Sequence, residues 1–333
     1  MKITYYHRHP NSGTYSLERI FHDIRQALPE EVQHRISVAR FESRGIWRRI
    51  YNSVEAAFRQ EDVNHITGDV HYLAYFLRKK RTLLTVADCI MLERLRGIRK
   101  LFLFFFWYWL PEKRSALISV ISESTKREVV KYLRCDPDKI RVVHCCVSPD
   151  FKPFPRVFNE KKPRILQVGT SQNKNLLRVA EALKGIPCRL LIVGRLSSFQ
   201  ENALIQNGVE FSTVADISDR EMEEKYRQCD FVIFASTYEG FGLPIIEANA
   251  IGRPVITGNI LSMPEVAGDA ACLVNPYDVE SIRTGIIRVI SDTAYREQLI
   301  QNGFRNVERF RPESIAKQYV ALYRELVDKQ IPG

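Results

Sequence analysis

Short apolar runs rich in β-branched residues alternate with amphipathic helical stretches along almost the whole chain. This alternation predicts an α/β fold with parallel sheets, because consecutive parallel strands need a crossover helix between them. Six strands are predicted in the first half: Ile3–Tyr6, Ile36–Phe41, Val63–Thr67, Leu83–Val86, Leu117–Ile121 and Ile140–Val143. A second series follows: Ile165–Val168, Leu190–Val193, Val209–Phe211, Phe231–Ala235, Val255–Thr257 and Cys272–Val274. Two doubly wound domains are therefore expected, with ligands bound in a cleft at the carboxyl ends of their strands.

The length of the chain also favours two domains. Its 333 residues exceed the size at which a single hydrophobic core usually stops growing. The stretch Ser148–Arg164, with four prolines and a run of charges, has the composition of an interdomain linker. We therefore predict a first domain over residues 1–150, a linker over 151–163 and a second domain over 164–311. A helix over about 312–330 is expected to pack back on the first domain.

Composition disfavours several classes of protein. No apolar stretch reaches 18 residues, so a membrane-spanning helix is not expected. The first residues lack the apolar core of a signal peptide and resemble an early strand and loop. The seven cysteines are odd in number, scattered and without a C-x-x-C pair, which disfavours a disulfide framework or a zinc site. A reducing cytoplasm is the compartment that fits best.

Positive charge is concentrated in the first half of the chain. The net charge is +10, of which residues 1–150 contribute +9 and residues 151–333 contribute +1. Two basic clusters account for much of this excess: Arg78–Arg81, and the group Arg94, Arg96, Arg99 and Lys100. The asymmetry indicates that the first half meets an anionic partner. Nucleic acid is disfavoured as that partner, because no nucleic-acid-binding motif accompanies the charge.

The second basic cluster is followed by ten apolar and aromatic residues, Leu101–Leu110, and then by Lys113 and Arg114. Ten helical residues span only about 15 Å, which is too short to cross a bilayer. Rings with basic flanks suit the lipid–water interface, which favours contact of Arg94–Arg114 with an anionic membrane surface. The protein would then be cytoplasmic and peripheral on the cytoplasmic face of the membrane. The alternative is a helix buried on all sides, with the basic residues solvating its ends.

The most informative segment is Ser236–Gly252, in which a strand is followed by a glycine-containing loop and a helix. Pro244 suits the first turn of that helix and Gly252 suits its end. The loop residues Gly240–Gly242 allow backbone N–H groups to approach a ligand closely, and the helix N-terminus adds positive potential. The segment therefore predicts a phosphate cradle.

Two carboxylates frame this cradle. Glu239 lies in the loop, and Glu247 is eight positions further on, about one turn into the helix. A carboxylate beside an anion cradle does not favour the phosphate itself, so both side chains are expected to accept hydrogen bonds from hydroxyl groups. A sugar and a ribose supply such hydroxyl groups.

The spacing Glu-x7-Glu around GFG-LP resembles the hallmark of retaining glycosyltransferases of the GT-B fold, family GT4 (glycosyl transferases group 1). The similarity covers most of residues 163–310 in order and spacing, through Ile165–Val193, Asp219–Asp230 and Ser262–Pro276. The first half is similar at fewer positions, namely Ser12-Gly13, Leu83–Asp88 and Val120–Thr125. The resemblance implies two Rossmann-like domains that face each other across a cleft. The first would bind the acceptor and the second the nucleotide sugar.

The resemblance also implies roles for single residues. Glu239 would bind the sugar hydroxyls, Glu247 the ribose hydroxyls, and Lys174 would neutralise the diphosphate leaving group. Further donor contacts are expected at Gly13, Gly169, Thr170, Arg195, Gly240, Phe241, Gly242 and Leu243. A preorganised cation and backbone N–H groups can stabilise a departing diphosphate, so neither a metal nor a cofactor is expected. Glu239 and Lys174 are the predicted catalytic residues.

The sequence departs from the family pattern in two places. Gln172 and Asn173 precede Lys174 where many relatives have a second basic residue. Ala87 stands where the family often has a histidine that contacts the donor sugar. Asp88 remains available to orient a sugar or acceptor hydroxyl.

Two other groups of residues are interpreted as structural. Asp136-Pro137-Asp138 has the D-x-D spacing of metal-dependent glycosyltransferases, but Asp-Pro before a strand is typical of a turn. His65 and His71 could place an imidazole near Asp88, but a structural role is expected for both.

Together these features predict a retaining transferase that moves a sugar from a nucleoside diphosphate to an acceptor hydroxyl. We expect the acceptor to be a glycan or a lipid-linked glycan, in the biosynthesis of a cell-surface polysaccharide or glycolipid. Two alternatives stay open. One is a nucleotide-sugar 2-epimerase, which also uses paired nucleotide-binding domains, and the other is a non-catalytic subunit that binds a nucleotide sugar.

Overall fold

The computed structural model describes residues 1–10 and 16–328, and the chain divides into two compact units. The first unit contains Met1–Cys146 and the C-terminal helix, and the second unit is Val147–Arg311. Each unit is built around one six-stranded sheet in which all paired strands are parallel. The predicted α/β class with two Rossmann-like domains is therefore confirmed.

The sheet of the first unit is buried through its centre. Its strands are β1 (Lys2–His7), β2 (Gln33–Val38), β3 (Val63–Ile66), β4 (Thr82–Val86), β5 (Leu117–Val120) and β6 (Ile140–Val142). They pair in the order β2-β1-β3-β4-β5-β6. Every residue of β3, β4 and β5 is buried, as expected for parallel strands covered on both faces.

Helices connect these strands. They are α1 (Ser16–Gln26), α2 (Ile46–Ala57), α3 (Ile90–Arg94), α4 (Gly97–Leu103), α5 (Leu110–Lys113) and α6 (Glu123–Leu133). A π-helical segment, Phe104–Trp109, joins α4 to α5. Short 3₁₀ turns occupy His71–Tyr75, Lys79–Arg81 and Pro137–Lys139.

The second unit has strands β7 (Arg164–Val168), β8 (Arg189–Val193), β9 (Glu210–Val214), β10 (Phe231–Phe234), β11 (Val255–Gly258) and β12 (Cys272–Val274). They pair in the order β12-β11-β10-β7-β8-β9. The helices are α7 (Leu176–Ala182), α8 (Ser198–Gln206), α9 (Asp219–Gln228), α10 (Leu243–Ile251), α11 (Met263–Ala267), α12 (Val279–Ser291) and α13 (Thr293–Val307). Because β8 lies on one side of β7 and β10 on the other, the strand order reverses between β7 and β10. Ligands of doubly wound sheets bind at such a reversal.

The last helix, α14 (Pro312–Asp328), packs on the first unit through buried side chains that include Tyr323. Tyr323 Oη lies 2.9 Å from Tyr5 Oη and 2.8 Å from His65 Nδ1. The other ring nitrogen of His65 lies 2.7 Å from Thr85 Oγ1. Complete burial lowers the pKa of His65 well below its usual value, so the imidazole is uncharged and satisfied within the core. His65 is a structural residue, as predicted.

The proline-containing segment that we predicted as a linker is fastened to the second unit. Arg156 forms a 2.8 Å ion pair with the buried carboxylate of Asp230. The same carboxylate accepts the backbone N–H of Arg164 at 2.7 Å, and Phe158 stacks on Phe231 with ring centroids 6.2 Å apart. The composition of this segment is typical of a linker. These contacts nevertheless attach it to the second unit, and the boundary between the two units falls after Cys146.

Replacing Asp230 by alanine should destabilise the second unit by about 3 kcal/mol, because buried N–H groups lose their acceptor and Arg156 its counter-charge. Urea unfolding followed by circular dichroism measures the effect. All three tryptophans, Trp47, Trp107 and Trp109, lie in the first unit. Their fluorescence therefore reports the unfolding of the first unit, which serves as an internal reference. The control is alanine at the exposed Asp269, where a change within about 0.5 kcal/mol is expected. Equal stability of the two variants would contradict the assigned role of Asp230.

The remaining sequence motifs have structural roles. The seven cysteines are buried and free, and burial raises the pKa of the Cys146 thiol to about 12. Asp136 Oδ1 accepts the backbone N–H of Asp138 at 2.9 Å, which forms the turn before β6.

Within residues 1–10 and 16–328, no three His, Cys, Asp or Glu side chains cluster in a way that could hold a metal ion. No helix in the same ranges is both long and apolar enough to cross a bilayer.

Candidate active site

The candidate site lies in the second unit, where the loops that follow β7 and β10 meet. Lys174 ends a 3₁₀ turn after β7, and Glu239 lies in the loop after β10. Lys174 Nζ is 2.7 Å from Glu239 Oε1, although the two residues are 65 positions apart. Their side chains are 20% and 14% exposed, so the pair is shielded yet accessible to a ligand. The structure thus brings together the two predicted catalytic residues.

An aromatic ring lies against the ammonium group of Lys174. Lys174 Nζ lies 4.7 Å from the ring centroid of Phe234, the last residue of β10. The ring face attracts the ammonium group electrostatically without using any of its hydrogen-bond donors. The ammonium group therefore keeps N–H donors for an incoming anion.

Two asparagines that flank Lys174 tie the two loops together. Asn173 Nδ2 donates to the carbonyl oxygen of Tyr238 at 3.0 Å, and its own carbonyl accepts the N–H of Thr237 at 2.8 Å. Asn175 Nδ2 donates to the carbonyl oxygens of Ala235 at 2.9 Å and Pro276 at 2.6 Å. Neither asparagine was predicted to have this role. Asn175 has a left-handed backbone conformation, with φ of 61°. Asparagine adopts this conformation more readily than most other non-glycine residues.

Gly169 adopts a conformation that places its backbone against Lys174. Its φ is +88°, and its N–H donates to the carbonyl oxygen of Val193 at 2.7 Å. A Cβ atom at this position would lie 2.9 Å from Cε and 3.1 Å from Cγ of Lys174. Glycine is therefore required both for the backbone angle and for the path of the lysine side chain.

Replacing Gly169 by alanine should lower kcat/KM about 10²-fold, because the new methyl group displaces Lys174 from Glu239. Gly185→Ala is a matched control, since Gly185 has a φ of +73° but no atom within 4 Å of its hypothetical Cβ. Both variants carry backbone strain, and only the first moves the lysine. Equal kcat/KM values for the two variants would show that displacement of Lys174 has no consequence.

The predicted donor residues Thr170 and Arg195 have different surroundings. Thr170 Oγ1 donates to the carbonyl oxygen of Arg195 at 2.7 Å, which joins the loops after β7 and β8. Gly194 permits this approach, because a Cβ there would lie 2.9 Å from Thr170 Oγ1. The Arg195 side chain is 80% exposed and forms an ion pair with Asp216. Thr170 is therefore part of the loop framework, and Arg195 is engaged at the surface.

The glycine loop leads into α10 as the sequence predicts. Gly242 has a φ of +118° and caps the helix, Pro244 lies in its first turn, and Gly252 ends it with a φ of +81°. The Ser262 hydroxyl lies 2.9 Å from the carbonyl oxygen of Glu239 and 2.8 Å from that of Phe241. This serine fixes the loop from the opposite side. Glu239 is therefore followed directly by the loop residues Gly240 and Phe241 and by Gly242, the N-cap of α10.

Glu247 is held by a tyrosine, Tyr226, that was not predicted to contact it. Tyr226 Oη donates to Glu247 Oε2 at 2.6 Å, and Tyr226 is fully buried in α9. One oxygen of the carboxylate is therefore oriented by the protein. Ser236, at the carboxyl end of β10, has a buried hydroxyl oxygen for which the described residues provide no hydrogen-bond partner.

The predicted residues of the first unit are less informative. Asp88 Oδ1 accepts the backbone N–H of Ile90 at 3.0 Å and so begins α3. His71 is buried with Nδ1 donating to the carbonyl oxygen of Trp107 at 2.9 Å, which is a structural role, as predicted. Gly13 lies outside the described residues.

A cavity of about 270 Å³ at the carboxyl end of β1 was not predicted. Its lining includes His7, Arg8, Glu18 and Arg25. Burial, with the nearby charge of Arg25, lowers the pKa of His7 to about 4, so the imidazole is neutral at neutral pH. Arg25 Nη1 lies 3.0 Å from His7 Nε2 and donates to it.

The fold is that of GT-B glycosyltransferases. Sucrose-phosphate synthase from Thermosynechococcus elongatus superimposes with a TM-score of 0.80 at 16% identity, over 99% of this chain and 100% of that one. The Anabaena protein HepE, solved in complex with UDP and glucose, superimposes with a TM-score of 0.79 at 15% identity, over 98% and 100%. Identity at this level establishes the shared fold alone.

Residues 149–306, which are most of the second unit, match the family described as glycosyl transferases group 1. The O-antigen chain mannosyltransferase B of Escherichia coli is 26% identical over 233 residues, which are 63% of this chain. The chain spans 61% of the length of that relative, and 62% and 58% of two further curated relatives.

Proposed function

We propose that the protein is a retaining glycosyltransferase that moves a sugar from a nucleoside diphosphate to an acceptor hydroxyl. The observation that carries this proposal is the Lys174–Glu239 pair at the strand-order reversal, beside the glycine loop that begins α10. A cation and backbone N–H groups suit a diphosphate, and a carboxylate suits sugar hydroxyls. The match of residues 149–306 to the glycosyl transferases group 1 family supports the same assignment.

In the proposed reaction the bond between the sugar C1 and the diphosphate oxygen breaks, and a bond from C1 to the acceptor oxygen forms on the same face. The acceptor proton passes to the leaving phosphate oxygen, so the protein supplies no nucleophile. Lys174 stabilises the negative charge that develops on the diphosphate, together with backbone N–H groups at Gly240 to Leu243. Glu239 accepts hydrogen bonds from the sugar and orients C1.

Glu247 has the geometry of a ribose ligand in this scheme. Tyr226 donates to Oε2, and a carboxylate can accept several hydrogen bonds, so hydroxyl groups can bind to it as well. Because no step requires a divalent cation, we expect transfer to continue in the presence of EDTA.

The names of the relatives suggest the class of substrates. A curated relative is an O-antigen chain mannosyltransferase, and HepE was solved with UDP and glucose. We propose a nucleoside-diphosphate hexose as donor and a growing cell-surface polysaccharide or glycolipid as acceptor, handled in the cytoplasm.

We further propose that Arg94–Arg114 contacts an anionic membrane surface. The aromatic run has a buried side and an exposed side, since Tyr108 is buried while Leu101, Phe102 and Phe106 are exposed. Trp107 is oriented by donation from Nε1 to Asp69 at 2.6 Å. The exposed rings and the basic residues Arg96, Arg99 and Lys100 would meet lipid and headgroups.

A panel of UDP-, GDP- and ADP-hexoses tests the transferase proposal. One member should raise the unfolding temperature, because a ligand stabilises the state that binds it. Transfer to a glycan acceptor is then followed by NMR, and retention of the anomeric configuration is expected. Inversion, or binding without transfer to any acceptor, would overturn the proposal. An epimerised sugar formed without acceptor would identify a 2-epimerase instead.

A further inference from the structure

Helix α2 turns its apolar side to solvent. Its buried side consists of Asn52, Ser53 and Ala56, which are polar or small. The exposed apolar side chains follow the helical repeat and continue past the helix end: Ile46, Trp47, Ile50, Tyr51, Val54 and Phe58. A surface helix normally buries its apolar stripe, so the reversed orientation indicates an apolar partner outside the chain.

Hydrogen bonds on the buried side fix this orientation. Asn52 Nδ2 donates to the carbonyl oxygen of Phe41 at 2.8 Å, and Asn52 Oδ1 accepts the N–H of Phe41 at 3.1 Å. Asn52 Nδ2 also lies 3.1 Å from Tyr72 Oη. Rotating the helix to bury its apolar side would break these contacts and leave buried polar groups unpaired, which is costly.

Helix α2 adjoins the aromatic run through its buried side, where Asn52 contacts Tyr72. The Arg49 guanidinium lies 5.1 Å from the ring centroid of Trp107, and Tyr72 packs between the two elements with its ring 5.4 Å from Trp107. At the other end, the rings of Phe41 and Tyr51 are in edge-to-face contact at 5.2 Å. We call the exposed apolar residues of Ile46–Phe58 together with those of Ile98–Phe106 the aromatic surface.

The charge around the aromatic surface indicates which kind of partner could cover it. Residues 40–59 contain five arginines and two glutamates, and residues 94–114 contain six lysines or arginines and one glutamate. Glu55 is already neutralised by Arg59 at 2.6 Å. A second copy of the same surface would bring like charges together, whereas anionic headgroups complement them. Exposed tryptophan beside arginine is suited to the lipid–water interface.

We infer that α2 lies in the interface of an anionic bilayer, with Trp47 and Phe58 among the acyl chains and Arg44 and Arg48 among the headgroups. The inference rests on the proposed membrane contact of Arg94–Arg114 for the identity of the occupant, and it adds α2 as a second element of that contact. The first unit then docks through a surface rather than through one short helix.

Sedimentation with vesicles of phosphatidylcholine and about one-third phosphatidylglycerol tests the inference. The double variant Trp47→Ser/Phe58→Ser should bind about tenfold more weakly than the unchanged protein. Phe199→Ser is the control, because Phe199 is 70% exposed on α8 of the second unit and should not contact lipid. In a Trp107→Phe/Trp109→Phe background, the emission of Trp47 should shift to the blue on binding and be quenched by brominated lipid.

Unchanged binding of the double variant, or Trp47 emission unaffected by vesicles, would overturn the inference. If Arg96→Glu/Arg99→Glu abolishes binding while the α2 variant binds normally, the contact of Arg94–Arg114 stands and that of α2 fails. A dimer that the α2 variant dissociates, without vesicle binding, would assign the surface to a second copy. Donor binding in the thermal-shift assay does not involve this surface, so a failed transferase proposal would show separately.

Discussion

Replacing Lys174 by alanine should lower kcat for sugar transfer by about 10²–10³-fold while the protein stays folded. Lys174 is the cation that we propose to contact the diphosphate, and Phe234 and Glu239 hold its ammonium group in place. Its loss removes stabilisation of charge that develops only as the leaving group departs, so kcat should fall more than donor affinity. Steady-state kinetics with the donor identified in the panel measures both.

The control for this variant is Lys184→Ala, which removes an exposed lysine of the same unit. We expect its kcat to match that of the unchanged enzyme. A Lys174→Ala variant with normal kcat would remove the lysine from the mechanism, even if donor binding were weakened.

Replacing Glu239 by glutamine should lower kcat/KM about 10²-fold, because a neutral amide neither holds Lys174 by charge nor accepts sugar hydroxyls as strongly. Glutamine keeps the size of the side chain, so the neighbouring contact with Asn173 at 3.3 Å and the loop should be retained. The matched control is Glu201→Gln at an exposed position on α8, where no change is expected.

The double variant Lys174→Ala/Glu239→Gln separates cooperation from independent action. Because the two side chains form one ion pair, their effects on the barrier should combine to less than the sum of the single effects. Fully additive effects would mean that Lys174 and Glu239 act at separate points of the reaction.

The sequence predicts the local parts of the candidate site well. The start and end of α10 follow from Pro244 and Gly252, because helix termini are governed by residues within a turn of them. The alternation of apolar runs likewise predicts both sheets, since each strand carries its own signal. The Glu-x7-Glu spacing is also local, so both carboxylates can be predicted from one short segment.

Contacts between distant segments were not predictable in the same way. Asn173 looks like a departure from the family pattern, yet it ties the Lys174 loop to Tyr238. The proline-containing segment has the composition of a linker, and only the position of Asp230 shows that Arg156 is anchored. The apolar residues of α2 have the spacing of a helix that faces a core. The spacing alone does not show whether that side of the helix is buried or exposed.

The asparagine ties around Lys174 bear on how a glycosyltransferase of the proposed kind could diversify. The lysine, both glutamates and the side chains that orient them are encoded within one continuous stretch, Val147–Arg311. Under the proposed function, recombination at the ends of that stretch would carry these donor-binding side chains together into a new chimera. Sugar choice and acceptor choice would then be inherited as separate modules, and new linkages could arise without rebuilding the chemistry.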